Sequence, residues 1–221
     1  MFLSTRRPIL FPQSEHLKLA GTLAFAWGSP QFEMPPLPAQ SVITGIALHD
    51  RAYGYLDDFP VPSSDTPGWL ELTRRGFYMP CADAVADLIT KVHLLRLVAK
   101  GDTPGHTALA GEMRSEITRL ASQHGLDLAL LQQVDRLTNL CDRISFDFCR
   151  EKSTEGRVEV VAQYASGETR AVHYWIEGKD ITLDPWPLRP PQVSGYIIGY
   201  AQENYPHKPD ALIAPYHIHP A

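Results

Sequence analysis

The sequence predicts a mainly α protein: a helical bundle over about residues 1–150, with a small C-terminal antiparallel β appendage over about residues 151–221 packed on it. Three observations predict this. Apolar residues recur at helical spacing through the first two thirds of the chain, the period drops to two after Glu151, and proline and glycine clusters punctuate the boundaries. A length of 221 residues suits one medium domain with a small appendage and can bury a core without covalent staples.

Leu17, Leu19, Ala20, Leu23, Ala24 and Trp27 place a first helix over about Gln13 to Trp27, with Ser14 as its N-cap and Gly28 and Pro30 as its stop. After a linker holding Pro35, Pro36 and Pro38, a second helix runs from about Ala39 to Ala52. Its Val42, Ile43, Ile46, Ala47 and Leu48 make it apolar on most of its surface, as a central helix of a bundle is. From Tyr53 to Arg75, the aspartates, prolines, serines and Gly68 predict a long loop, of the kind that serves as a lid or binding loop. Further helices are expected over about Cys81 to Lys100, Thr107 to His124 (ended by Gly125) and Leu126 to Arg150. Beyond Glu151, Val158, Val160 and Ala162 alternate with their neighbours. Ser166-Gly167 marks a hairpin to Thr169–Ile176, Gly178-Lys179 turns into Ile181–Leu183, and Val193–Tyr200 forms a fourth strand.

The formal charge is −5, which offers no basic surface for a phosphate backbone and excludes nucleic acid as a bulk partner; a small phosphorylated substrate remains compatible with a local patch or a metal. No run approaches the roughly 20 apolar residues that span a bilayer, and no secretory leader is legible. The three cysteines, Cys81, Cys141 and Cys149, lack metal spacing and read as reduced thiols. The expectation is a soluble cytoplasmic protein acting on a small molecule, with no nucleic-acid or membrane partner; a homo-oligomer is allowed.

The residues that suggest chemistry are His16, the dipeptide His49-Asp50, His93 and Asp142, all in stretches that read as helix. Neighbours on a helix point about 100° apart, so His49 and Asp50 share an ion only if it lies beside the helix. With His16 and Asp142 they make a His₂Asp₂ set, which suits iron, manganese, zinc or a similar divalent ion and leaves positions for water or substrate. His93 is a candidate to bind a second ion, contact a phosphate or orient a metal water. Taken singly, each of these is more often a hydrogen-bonded core residue, and Asp142 is equally readable as the partner of Arg143 or Arg96.

Around this set, Asp57 and Asp58 are candidates to accept substrate hydroxyls, though a solvated turn explains them as well. Arg74, Arg75 and Arg96 are candidates to clamp a phosphate, and Tyr53, Trp27 and Trp69 to line a pocket, although surface pairing and core packing are the commoner roles. His217 and His219 share a strand face, but with Pro215 and Pro220 beside them they read as an edge segment and are set aside.

The order His, His-Asp, Asp resembles the HD superfamily of helical metal-dependent phosphohydrolases. More narrowly, the stretch Gln13 to Gly28, Ala47 to Asp50 with Asp57 to Pro60, Leu140 to Ser145, and Asp184 to Pro187 resemble a bacterial family of uncharacterised proteins over nearly the whole chain. The resemblance implies an HD-like helical bundle with metal ligands at His16, His49, Asp50 and Asp142, and leaves His93 without a counterpart. The chain has Tyr53-Gly-Tyr where that family usually has Gly-Trp, so the lip of the site differs.

The leading expectation is therefore a metal-dependent hydrolase of a small phosphoester or nucleotide. In it the ion polarises a phosphoryl oxygen and acidifies a water, Asp50 and His93 serve catalysis, and Tyr53, Asp58 and Arg96 bind substrate. Two alternatives stand beside it: a non-catalytic binding or structural protein with a buried His/Asp network, and a di-iron oxygenase on the same scaffold, which needs an extra ligand such as His93.

Overall fold

Helices line one side of a curled sheet, and one long helix touches both layers. The computed structural model describes residues 1–57, 67–203, 205, 207 and 209–221. In chain order the elements are β1 (Phe2–Leu3), β2 (Ile9–Phe11), α1 (Gln13–Ala26), α2 (Ala39–Ala47), a 3₁₀ segment (Arg51–Asp57), α3 (Pro67–Tyr78), α4 (Ala84–Val98), α5 (Pro104–His124), α6 (Leu128–Arg150), β3 (Glu155–Gln163), β4 (Glu168–Glu177), β5 (Asp180–Asp184), β6 (Val193–Ala201) and β7 (Ala211–Pro220).

The expected mainly α bundle with a small antiparallel appendage is overturned. About 48% of the chain is helix and about 25% is strand, and the strands form one mixed sheet curled into a half-barrel. Its seven strands, among the described residues, run in the order β1-β2-β6-β7-β5-β4-β3. All neighbours are antiparallel except β5 and β7, which are parallel. The sheet draws strands from both chain ends, β2 pairing Leu10 with Tyr200 of β6. Three elements account for the difference. β1 and β2 span only two and three residues, too short for alternation to register. β7 contains Pro215, which a central strand tolerates here because β5 pairs only with His217–Pro220 and does not reach it.

Inward residues of the sheet, among them Val160, Val172, Tyr174, Ile181, Ile197 and Ile218, pack into one core with the helices. α6 is central. Its Leu140, Ile144 and Phe148 are buried, and Asp147 on the same helix accepts a 2.5 Å hydrogen bond from Tyr174 Oη of β4. Glu15 of α1 accepts from the Ile198 backbone N–H of β6 at 2.7 Å, fixing the first helix to the sheet.

Two helices differ from expectation. The second ends at Ala47, and Leu48, His49 and Asp50 form a turn before the 3₁₀ segment. α3 begins inside the expected loop, because Pro67 occupies a first-turn position where its missing N–H costs nothing. Ser14 is not a cap; Pro12 holds that position, and Asp57 Oδ1 accepts from Gln13 N–H at 2.8 Å instead. Asp83, Thr103 and Asp127 cap α4, α5 and α6 through their side-chain oxygens, and Gly125 (φ 64°) closes α5. No helix among the described residues is long and apolar enough to cross a membrane.

Candidate metal centre

α1, α2 and α4 approach each other unusually closely, and glycine permits it. A Cβ on Gly21 of α1 would lie 2.9 Å from Ala47 Cβ, and one on Gly45 of α2 would lie 2.8 Å from Ile89 Cβ of α4. The turn after α2 then carries His49 and Asp50 inward. There they meet His16 on the buried face of α1, His93 on the buried face of α4 and Asp142 on α6. All three histidines are completely buried, and Asp50 is 7% exposed.

His16, His49, Asp50 and Asp142 form a group that could hold a metal ion, each offering one donor atom with all four atoms within 4.8 Å of one another. His16 Nε2 lies 3.0 Å from His49 Nε2. From each Nε2 the carboxylate oxygens are 3.4–3.9 Å away: Asp142 Oδ1 at 3.6 and 3.4 Å, Asp50 Oδ2 at 3.6 and 3.9 Å. Metal–ligand bonds of about 2.1 Å separate neighbouring ligands by about 3.0 Å at right angles and about 3.4 Å in a tetrahedron. The donor set fits a divalent ion.

The backs of the two rings decide what their fronts present. His49 Nδ1 donates to Ile46 O at 2.7 Å, and a carbonyl can only accept. Ser145 Oγ lies 2.7 Å from His16 Nδ1 and 2.8 Å from Cys141 O; with its one hydrogen on the Cys141 carbonyl it accepts from His16 Nδ1. His49 therefore aims an Nε2 lone pair at His16 across 3.0 Å, and with the serine hydrogen on the carbonyl His16 aims one back, with two carboxylates alongside. Such a group is strongly unfavourable unless a cation, either a proton or a metal ion, lies within it.

The titration behaviour reflects the same field. Burial opposes charging His49, but the Asp50 and Asp142 carboxylates outweigh it and raise its pKa. Burial likewise opposes ionising Asp50 and Asp142, yet the neighbouring histidines, when one of them carries a proton, hold both carboxyls well below the usual range.

His93 is oriented differently. Its Nε2 lies 3.2 Å from Asp50 Oδ1, and its Nδ1 accepts from Arg96 Nη2 at 2.8 Å. Burial lowers its pKa, which keeps it neutral near pH 7. Arg96 is itself held by Asp135 Oδ2 at 2.8 Å and lies 3.8 Å from Asp142 Oδ2.

A cavity of about 510 Å³ opens against Asp50 and Asp142. Phe2, Tyr53, Trp69 and Phe146 form its apolar wall, and Gln13, Asn139, Asp147, Arg96, Lys100 and Arg143 its polar one. Tyr53 stacks on Trp69 and its hydroxyl bonds Thr73 Oγ1 at 2.9 Å. Arg74 and Arg75 are elsewhere, paired with Glu112 and Glu71 at the surface. Trp27 is in the core. Asp57 caps α1, and Asp58 lies outside the described residues. Cys141 and Cys149 are buried free thiols.

Sequence reasoning missed Gln13, Lys100, Asn139 and Arg143. Helical spacing could have found three of them, since Gln13 and Asn139 each precede a cluster residue by three positions and Lys100 follows Arg96 by four.

The chain belongs to the family described as "Protein of unknown function (DUF3891)", whose model matches residues 82–200, more than half of its length. That span includes His93, Arg96 and Asp142, with the Leu140–Ser145 and Asp184–Pro187 stretches; His16, His49 and Asp50 precede it. No curated protein and no solved structure matches the chain.

Proposed function

We propose that the protein is a metal-dependent hydrolase of small phosphate esters, its HD-type ligand order being His16, His49-Asp50 and Asp142. One observation carries the reading. Two buried imidazoles face each other through their Nε2 atoms at 3.0 Å beside two carboxylate oxygens, the Nδ1 hydrogen of His49 being committed to Ile46 O. This arrangement is organised for a cation before any cation arrives. Nitrogen and carboxylate donors together favour iron, manganese or zinc over magnesium or calcium.

An ion held there supplies a Lewis acid for a phosphoryl oxygen and an acidified water as nucleophile. The protein's own side chains do the rest. Asp50 and Asp142 line the cavity and would present an ion to it, whereas His16 and His49 would hold it from the protein side. The cavity wall carries three basic side chains, Arg96, Lys100 and Arg143, against three carboxylates, Asp50, Asp142 and Asp147. A divalent ion turns that balance positive, which suits a phosphate dianion. Burial and the neighbouring Arg96 lower the Lys100 pKa, a charge held in place for an incoming anion to relieve. The aromatic wall shelters the ester group from water and selects a small molecule over a polymer.

The test is elemental analysis of wild type beside the double variant His49→Ala/Asp50→Ala, with circular dichroism on both, followed by a screen of phosphate monoesters on the loaded protein. The expected result is near-stoichiometric iron, manganese or zinc in the wild type, its loss from a still-folded double variant, and phosphate release by the wild type alone. A wild type that stays metal-free after reloading with each ion would sink the proposal.

A further inference from the structure

His93 raises the question of how many ions the centre holds. Its Nε2 is 3.2 Å from Asp50 Oδ1, a separation that serves equally for a hydrogen bond and for two ligands of one ion. If an ion lay there, Asp50 would bridge it to the ion held by His16, His49 and Asp142, and the centre would be binuclear, the arrangement of two-metal hydrolases and di-iron enzymes.

The far side of the ring decides between the two. Arg96 Nη2 is 2.8 Å from His93 Nδ1. A guanidinium has five N–H donors, no acceptor, and does not deprotonate in proteins. Nδ1 must therefore be the accepting nitrogen, and the single hydrogen of the neutral ring lies on Nε2. An Nε2–H has no lone pair for a metal; it donates to Asp50 Oδ1. Arg96 cannot turn away freely, because its Nε is bound to Asp135 Oδ2 at 2.8 Å. His93 contrasts in this with His49, whose Nδ1 partner is a carbonyl that can only accept and whose Nε2 is left bare.

We infer that the centre holds one ion rather than two, and that Arg96 sets this number by fixing His93 as a hydrogen-bond donor to Asp50. The inference rests on the metal-centre reading above. His93 is then a positioning residue. It occupies one oxygen of Asp50 so that the other, Oδ2, faces His16 at 3.6 Å, and it excludes the second ion that oxygen chemistry on a di-iron centre needs.

The experiment uses the whole protein reloaded with Mn²⁺ alone, read by elemental analysis and by electron paramagnetic resonance, for wild type, His93→Gln and His93→Ala. The expected wild type binds one ion per chain and shows the hyperfine pattern of an isolated Mn²⁺. Glutamine keeps an N–H directed at Asp50, so His93→Gln retains the ion and its spectrum. Alanine leaves Asp50 unsupported and weakens binding by about 10–100-fold, as loss of a ligand's hydrogen-bond partner does. Two ions per chain with an exchange-coupled spectrum, one of them lost in His93→Gln, would make His93 a ligand and overturn the inference. So would a folded His93→Gln that no longer holds the wild type's single ion. A wild type that binds no ion fails differently, since it removes the metal centre itself. Should a variant not fold, the wild-type stoichiometry and spectrum decide alone.

Discussion

Two histidine pairs in this chain invite comparison, and the one with the better spacing is the worse site. His217 and His219 are two residues apart on β7, where i and i+2 share a face. His16 and His49 are 33 residues apart on different elements. Yet the β7 pair is half-buried at the sheet surface, with His217 Nδ1 2.9 Å from Ser194 Oγ and His219 Nδ1 3.0 Å from Pro220 O. Among the described residues, only the set containing His16 and His49 gathers three or more donor side chains. The difference lies in depth and in the carboxylates. Burial removes competing water, and Asp50 and Asp142 supply the charge that makes a cation welcome.

The comparison breaks most readily at Ser145. Its Oγ lies 2.7 Å from His16 Nδ1 and, by accepting from it, would keep the ring's other nitrogen bare. In Ser145→Ala the Nδ1 hydrogen would be buried without a partner, costing about 1–3 kcal/mol. The ring relieves this by moving the hydrogen to Nε2, where it meets the carboxylates and blocks metal binding. Chelator competition with Zn²⁺ or Mn²⁺ should show affinity reduced by about 10–100-fold, with the fold retained by circular dichroism. Unchanged affinity would mean that the backs of the rings do not control the site.

How much of this was legible beforehand depended on the physics of each element. α1 and α6 were readable because each is long and periodic. The four cluster residues were readable as an ordered set of ligand types. Their convergence was not, because it depends on Gly21 and Gly45 letting three helices meet, and a glycine in a sequence does not say which helix approaches it. Nor does the sequence mark the turn that holds His49 and Asp50, since the apolar pattern of α2 carries on to Leu48. β1 and β2 are too short to carry a pattern, and β2 gains its place by pairing with the distant β6; β7 is masked instead by Pro215 within its run. Arg96 reads as a phosphate clamp from its type, but its partners Asp135 and His93 make it equally a structural part of the centre.

A second contrast concerns pH and separates the proton from the metal as occupant. His49 has a raised pKa in the folded chain because of Asp50 and Asp142, against an ordinary value of 6.5. In metal-free protein, that group contributes stability fully present below about pH 6.5 and lost as pH rises through the higher folded value. A metal ion must displace this proton, so its affinity should run the opposite way and strengthen over the same rise. Across thermal melts between pH 6 and 8 the Zn²⁺-loaded protein should therefore gain stability relative to the metal-free protein, the opposite contribution of His93, whose pKa is lowered, being common to both. Parallel curves would show that no proton leaves the centre when metal enters.

The smallest effect is expected from the β7 pair, and a small effect there is informative. His217 and His219 lie on the outer side of a strand whose buried side, Ala214, Tyr216 and Ile218, packs into the core. The double variant His217→Ala/His219→Ala removes one bond to Ser194 and one to a backbone carbonyl, both at the surface. Its stability should stay within about 0.5 kcal/mol of wild type, the range of ordinary surface changes. Metal content, after any affinity tag is removed, should be unchanged. If the variant instead lost stoichiometric metal while keeping its fold, spacing on a strand would have mattered more than the enclosure and charge that distinguish His16 and His49. The contrast between the two pairs would then have to be explained by something other than what lies behind each ring.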